Sequence, residues 1–331
     1  METKRLGGTG LVVSRIGLGL AALGRPGYIN IGHADDLEGG RDVAAMESHA
    51  FEVLDAARAG GVRYLDAARS YGRAEAFLAN WLAAREIGPD SVVVGSKWGY
   101  TYTAGWEVEA DRHEVKDHSL ANLDRQVAET RALLGDQVDL YQIHSATLET
   151  GVLADDAVLD RLARLKASGW RIGLSITGPS QGETLRRALD VEVEGVRLFD
   201  CVQSTWNLLE RSAGPALEAA HRAGLGVIVK EALANGRLTG RNDDPGFIPA
   251  RLALEAEASR LGVEPDALAL AAVLARPWAD VVLSGAATVA QLRSNLQASE
   301  FSFDDRAEAA LVVLTEGPRE YWATRSRLRW N

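Results

Sequence analysis

The sequence predicts an α/β protein folded as one (β/α)8 TIM barrel over residues 1–331, and three observations carry that prediction. Short β-branched runs alternate with amphipathic stretches through almost the whole chain, the pattern of repeated strand-helix units and hence of a parallel sheet. Eight such runs are present, the number that closes a parallel barrel. Asp66, Lys97 and His144 each end one of these runs and Tyr71 follows just after, so all four fall at the C-terminal face, where such barrels place their chemistry.

In chain order, Arg5-Leu6-Gly7-Gly8-Thr9-Gly10-Leu11-Val12-Val13-Ser14 reads as two short strands around a glycine-rich turn, an N-terminal hairpin suited to closing the barrel floor. Strands are predicted at residues 15–20, 62–66, 92–97, 138–144, 170–176, 199–203, 226–230 and 281–285. Helical periodicity occupies residues 46–59, where Phe51, Leu54 and Ala57 share a face, then 73–85, 120–134, 156–168, 181–189, 214–223, 249–261 and 289–298. Residues 24–42, 98–116 and 237–248 are too long or too polar for simple connections and read as functional lids or disordered loops. The second carries Trp98, Tyr100, Tyr102 and Trp106 directly after Lys97, which makes Trp98, Tyr100 and Trp106 candidates for substrate contact.

Composition narrows the function. A chain of 331 residues that is 47% hydrophobic can bury a large core, and a barrel explains that length as one domain. The formal charge of -10 disfavours nucleic-acid and anionic-membrane partners. The polar start, Met1-Glu2-Thr3-Lys4-Arg5, and the lack of any apolar run near the roughly 20 residues of a spanning helix fit a cytoplasmic protein. Cys201, the single cysteine, reads as a core thiol. His113 and His118 lack a matched carboxylate or cysteine set and read as a solvated pair, so no metal is expected. The basic run Arg325-Ser326-Arg327-Leu328-Arg329-Trp330 reads by default as a solvated tail.

The polar quartet implies reversible carbonyl reduction. A lysine beside a tyrosine draws the phenol's pKa down, a carboxylate tethers that lysine, and an imidazole orients the substrate oxygen. On Asp66-Ala67-Ala68-Arg69-Ser70-Tyr71-Gly72, Ser96-Lys97 and Leu140-Tyr141-Gln142-Ile143-His144, the chain resembles the aldo-keto reductase superfamily. The likeness extends to Leu6-Gly7-Gly8-Thr9-Gly10-Leu11, to Ala234-Asn235-Gly236-Arg237-Leu238-Thr239-Gly240, and to residues 284–295.

The resemblance implies a nicotinamide cofactor, NADP with NAD left open, and neither metal nor flavin. It casts Tyr71 as general acid and base, Lys97 as the group lowering its pKa, Asp66 as the partner of Lys97, and His144 as a donor to the carbonyl. It implies cofactor contacts at Gly19, Ser175, Gln203, Lys230, Leu233, Gly236, Gly285, Ala287, Gln291 and Asn295. The substrate implied is a small carbonyl compound or sugar; an oligomer is left open.

Three departures from the family pattern matter. Ser175-Ile176-Thr177-Gly178 lacks the asparagine many relatives carry, and is similar to the branch that oxidises L-galactose or other aldoses. The position of the usual aromatic platform reads Lys230-Glu231, so stacking falls to another residue such as Trp206. The basic positions that meet a 2′-phosphate fall on Gly285, Ala287 and Gln291, with Arg293 displaced, which is what opens NAD. In relatives the tail helps form the substrate pocket, a role for Trp322 or Trp330. The competing readings are a Schiff-base aldolase on Lys97 and a cofactor-binding regulatory protein of the same fold.

Overall fold

Eight parallel strands close into a barrel in the computed structural model, which describes residues 1–37 and 40–331. They are β1 (Ile16–Gly19), β2 (Tyr64–Asp66), β3 (Val93–Trp98), β4 (Val138–Ala146), β5 (Arg171–Ile176), β6 (Cys201–Thr205), β7 (Gly226–Lys230) and β8 (Val281–Ser284). Each pairs with the next in sequence and β8 pairs with β1, so the fold expected from the alternating runs is the fold observed. The main sequence-predicted helices are present within a few residues of their expected bounds, among them Val43–Ala59, Ala74–Ala84, Leu120–Leu134 and Asp156–Ala167. No helix among the described residues is long and apolar enough to cross a membrane.

Pro265–Leu274, packed between β7 and β8, is a helix the sequence reading missed. Residues 267 to 273 are all buried, so it has no polar face and no amphipathic period to betray it. Asp305–Leu311 and Pro318–Arg325 are two further unexpected helices. The expected loop at residues 98–116 contains a ribbon, Tyr100–Tyr102 paired antiparallel with Glu114–Lys116. Glu38 and Gly39, in the first long loop, lie outside the described residues.

The hairpin Thr3–Arg5 with Val12–Ser14 closes the floor. Leu6 and Val13 join Tyr64, Val93, Leu140, Cys201, Ile228 and Val281 in a buried cluster, so Cys201 is core as expected. Gly7 sits at φ +48°, and a Cβ there would lie 2.3 Å from the Gly226 nitrogen. Buried Asp280 fastens the plug: it accepts hydrogen bonds from the Gly7 and Val227 amides at 3.2 and 3.0 Å and pairs with Lys4 at 2.8 Å.

Candidate functional site

Alternation along the strands decides which side chains meet above this floor. Tyr64 and Asp66 of β2 share the inward face, as do Gly95 and Lys97 of β3, and the OH of Tyr64 donates to Asp66 Oδ1 at 3.2 Å. Lys97 is fully buried, and its ammonium uses all three hydrogens: on Asp66 Oδ2, on the Ala67 carbonyl at 2.9 Å, and on the Tyr71 hydroxyl at 3.2 Å. Gln203, from β6, donates to Asp66 Oδ1 at 2.9 Å. Tyr71 lies in the turn joining β2 to helix Ala74–Ala84, and its carbonyl accepts from the Ala74 amide at 3.0 Å.

His144 stands at a register irregularity in the pairing of β4 with β5, where Ser145 adopts φ +53°. Such bulges re-aim side chains next to active sites. Its ring meets the rings of Tyr71 and Tyr100 edge-on, with centroids 5.5 and 5.0 Å away. Nδ1 lies 3.3 Å from Ser70 Oγ, which leaves Nε2 as the ring nitrogen available to a ligand.

Electrostatics set the protonation states. Burial, followed by the Asp66 carboxylate, holds the Tyr71 phenol well above its ordinary pKa, so the downward pull expected of the Lys97 ammonium, 3.2 Å away, is outweighed. The guanidinium of Arg25 opposes that rise. Burial lowers Lys97, against the attraction of Asp66. Burial, with Lys97 and Lys230 nearby, keeps His144 well below the usual imidazole range, so the ring is neutral.

A cavity of about 580 Å³ opens onto these groups, a size suited to a small molecule or cofactor. Asp66, Tyr71 and His144 line it, as do Gly19, Tyr100, Gln203, Lys230, Leu233, Gly236, Gly285, Gln291 and Asn295. Lys97 lies behind Tyr71 and Asp66.

Four named residues stand apart from the cavity lining. Ser175 is buried and its hydroxyl accepts from the Ser145 amide at 2.8 Å. The Ala287 amide donates to the Gln291 side chain at 2.8 Å. Trp98 follows inward-facing Lys97 on the same strand, so it points outward and is buried in the core around the barrel. Trp106 packs edge-on to Phe77 and donates to the Arg41 carbonyl at 2.6 Å. The two tryptophans are therefore packing residues where substrate contact was expected.

Other expectations also change. Trp206 is buried edge-on to Trp278, outside the lining, and offers no platform there. Arg293 is exposed and also outside it. Trp322 packs on Tyr321, whereas Trp330 does line the cavity, stacked on His113 with centroids 3.9 Å apart. Asn331 bonds to the carbonyls of Tyr28 and Asn30, so the tail is a wall of the site. His118 Nε2 donates to the His144 carbonyl at 2.9 Å and the ring is half-buried, so neither histidine of that pair is merely solvated.

Sequence reasoning missed Arg25, Tyr28, Asp36, Arg241 and Arg325, all of which line the cavity. Asp36 Oδ1 accepts from Gln291 at 2.8 Å and from Arg241 at 2.6 Å. Arg325 places Nε and Nη2 on the carboxylate of Glu231, holding that acid down to about 2. Lys230 is left 3.9 Å from Glu231 with its side chain 15% exposed, and burial lowers it to about 8.

The polar lining suits a dinucleotide. The Oδ1 atoms of Asn235 and Asn295, on the β7 and β8 side, are buried without partners among the described residues, and a Cβ on Gly285 would meet only Asn30 Nδ2, at 4.0 Å. Among the described residues, no group of three or more His, Cys, Asp or Glu side chains is placed to hold a metal.

Comparison with known proteins adds a family. The model of the aldo/keto reductase family matches residues 15–313. Oxidoreductase YrpG of Bacillus subtilis is 27% identical, the match covering 96% of this chain and 97% of that protein. Pyridoxal 4-dehydrogenase of Microbacterium luteolum is 26% identical over 72% of each chain. Among solved structures, aldo-keto reductase AKR11C1 from Bacillus halodurans, in its holo form, superposes with a TM-score of 0.74 at 22% identity, covering 96% of this chain and 97% of that one.

Proposed function

The chain belongs to the aldo/keto reductase family and is an oxidoreductase, and from that premise we propose that it interconverts a carbonyl and its alcohol, or a sugar hemiacetal and its lactone, with Tyr71 as general acid and base. The observation that carries this reading is the convergence of Asp66, Lys97, Tyr71 and His144: one ammonium joins the carboxylate to the phenol, and the imidazole faces the same ring. A nicotinamide, when bound, supplies or accepts the hydride.

In reduction, negative charge grows on the carbonyl oxygen as the hydride arrives, so donors aimed at it favour the transition state over the ground state. Tyr71, kept protonated by its burial, gives that oxygen its proton. Lys97, anchored by Asp66, fixes the hydroxyl and stabilises the phenolate left behind. Neutral His144 donates a second hydrogen bond from Nε2 and sets the angle of approach. In the oxidative direction the same phenolate takes the alcohol proton. Lys97 has no hydrogen to spare and no exposure, which removes support for the aldolase alternative.

The cofactor would lie along the side formed by Leu233, Gly236, Gly285 and Asn295, with Lys230 near its reactive end. NAD is preferred over NADP in this reading. Gln291, at a position where relatives meet the 2′-phosphate, is bonded to the Asp36 carboxylate, which favours ribose hydroxyls and repels a phosphate dianion. A panel read at 340 nm, with NADH and NADPH against aldoses, aromatic aldehydes and pyridoxal, and with the alcohols in reverse, tests the proposal. Turnover with at least one carbonyl is expected; cofactor binding without any turnover would contradict it.

A further inference from the structure

Arg25, in the loop after β1, lines the cavity yet is only 3% exposed. Its guanidinium is wedged among three rings, 4.8 Å from the centroid of Tyr28, 5.3 Å from that of Tyr71 and 4.6 Å from that of Trp330. Both of its hydrogen bonds leave from Nη1, to the Ser70 carbonyl and to Glu114 Oε2, each at 3.1 Å. Nε is buried without a partner, and Nη2 makes no hydrogen bond among the described residues.

The neighbouring cations are better served. Lys97 is filled by Asp66, Ala67 and Tyr71, and Arg325 spreads its fork over both oxygens of Glu231. Arg25 has one contact to one acid, Glu114, whose side chain is 27% exposed at the rim. A guanidinium carries five N–H donors, and burying it with most of them unmet is costly. Aromatic packing holds its plane in place, which suits directional, two-point recognition of a planar oxyanion.

We propose that Arg25 is a substrate-specificity residue and that the enzyme's substrate carries a carboxylate close to its reacting carbonyl. This rests on the carbonyl-reduction reading of Tyr71 and His144 and names the substrate class for it. The carboxylate occupies the side of Tyr71 covered by Arg25 and Trp330, separate from the carbonyl oxygen that Tyr71 and His144 receive. With the guanidinium centre 5.3 Å from the Tyr71 ring, the two functional groups are a few bonds apart.

The test compares aldehyde acids with their neutral esters: 4-oxobutanoate with its methyl ester, and 2-formylbenzoate with its methyl ester. The wild-type protein is expected to favour each acid by at least about 10-fold in kcat/KM, expressed mainly in KM, the scale of one charge-assisted hydrogen-bonded pair. Arg25→Met should bring the acid-to-ester ratio of kcat/KM to about 1, whatever change the two substrates share, and Arg25→Lys should restore part of the preference. Equal kcat/KM for acid and ester in the wild type overturns the proposal without needing a variant. So does an Arg25→Met protein that loses acid and ester activity in equal proportion, which marks the residue as a packing rivet. Absence of turnover with acids and esters alike overturns this proposal alone if other carbonyls of the panel are reduced, and overturns the carbonyl reading as well if none is.

Discussion

Lys97 spends each of its hydrogens on a different partner, and that is why Tyr71 has a defined position at all. Tyr71→Phe removes the proton donor and almost no surface, so kcat should fall about 10²- to 10⁴-fold with cofactor affinity nearly unchanged, as steady-state kinetics and fluorescence titration of NADH would report. Asp36→Ser frees Arg241 beside Gln291, and the dissociation constant for NADPH should drop by about 10-fold or more while that for NADH rises. Fluorescence titration of the apoprotein reads both; an unchanged ratio would place the adenosine elsewhere. Lys230 is cationic below its pKa of about 8 and neutral above it, so affinity for the anionic cofactor should weaken between pH 7 and 9. Lys230→Met should flatten that profile. The quartet was legible because strand ends can be read from β-branched runs. Arg25 and Asp36 were not, since contacts between a loop near residue 30 and distant parts of the chain leave no local pattern, and Trp330 was reached only through the resemblance. Trp98 was misread although its position held the answer: adjacent residues of a strand face opposite ways, and Lys97 already faced in.

At the scale of elements, the hairpin plug shows how a glycine can be dictated by a neighbour's backbone. Gly7→Ala meets both a left-handed φ and a Cβ 2.3 Å from Gly226, so it should cost about 2 kcal/mol or more of stability. Denaturant melts would register the loss, while NADH affinity of the folded protein should stay the same because the plug lies at the opposite end from the cavity. The barrel strands and amphipathic helices announced themselves by period. Pro265–Leu274 did not, because a helix covered on every side has no period to show. The ribbon Tyr100–Tyr102 with Glu114–Lys116 was hidden for a different reason: two three-residue strands inside a polar loop are too short for alternation to stand out.

Across the whole molecule, the barrel buries three imidazoles in neutral form. Burial lowers His33 and His118 to about 4 and holds His144 well below its usual value. The unfolded chain takes up protons near the ordinary histidine value of about 6.5, whereas the folded one resists them, so stability should fall as pH drops from 6.5 toward 4. Thermal melts across that range should show a declining Tm, and His33→Phe, which removes a ring with neither nitrogen hydrogen-bonded, should make the decline shallower. The same architecture collects Arg25, Lys97, Lys230, Arg241 and Arg325 in or directly behind one cavity of a chain whose net charge is -10. Asp36, Asp66, Asp111, Glu114, Glu231 and Asp266 line the same cavity, so its charges are close to balanced within an otherwise acidic protein.

Single-turnover absorbance at 340 nm, with enzyme and bound NADH mixed against a carbonyl that the wild type reduces, isolates the chemical step from binding and release. The Tyr71→Phe protein should bind NADH as the wild type does and oxidise it at least about 100-fold more slowly. Equal single-turnover rates would show that Tyr71 gives no proton to the substrate oxygen, and the catalytic assignment would fall.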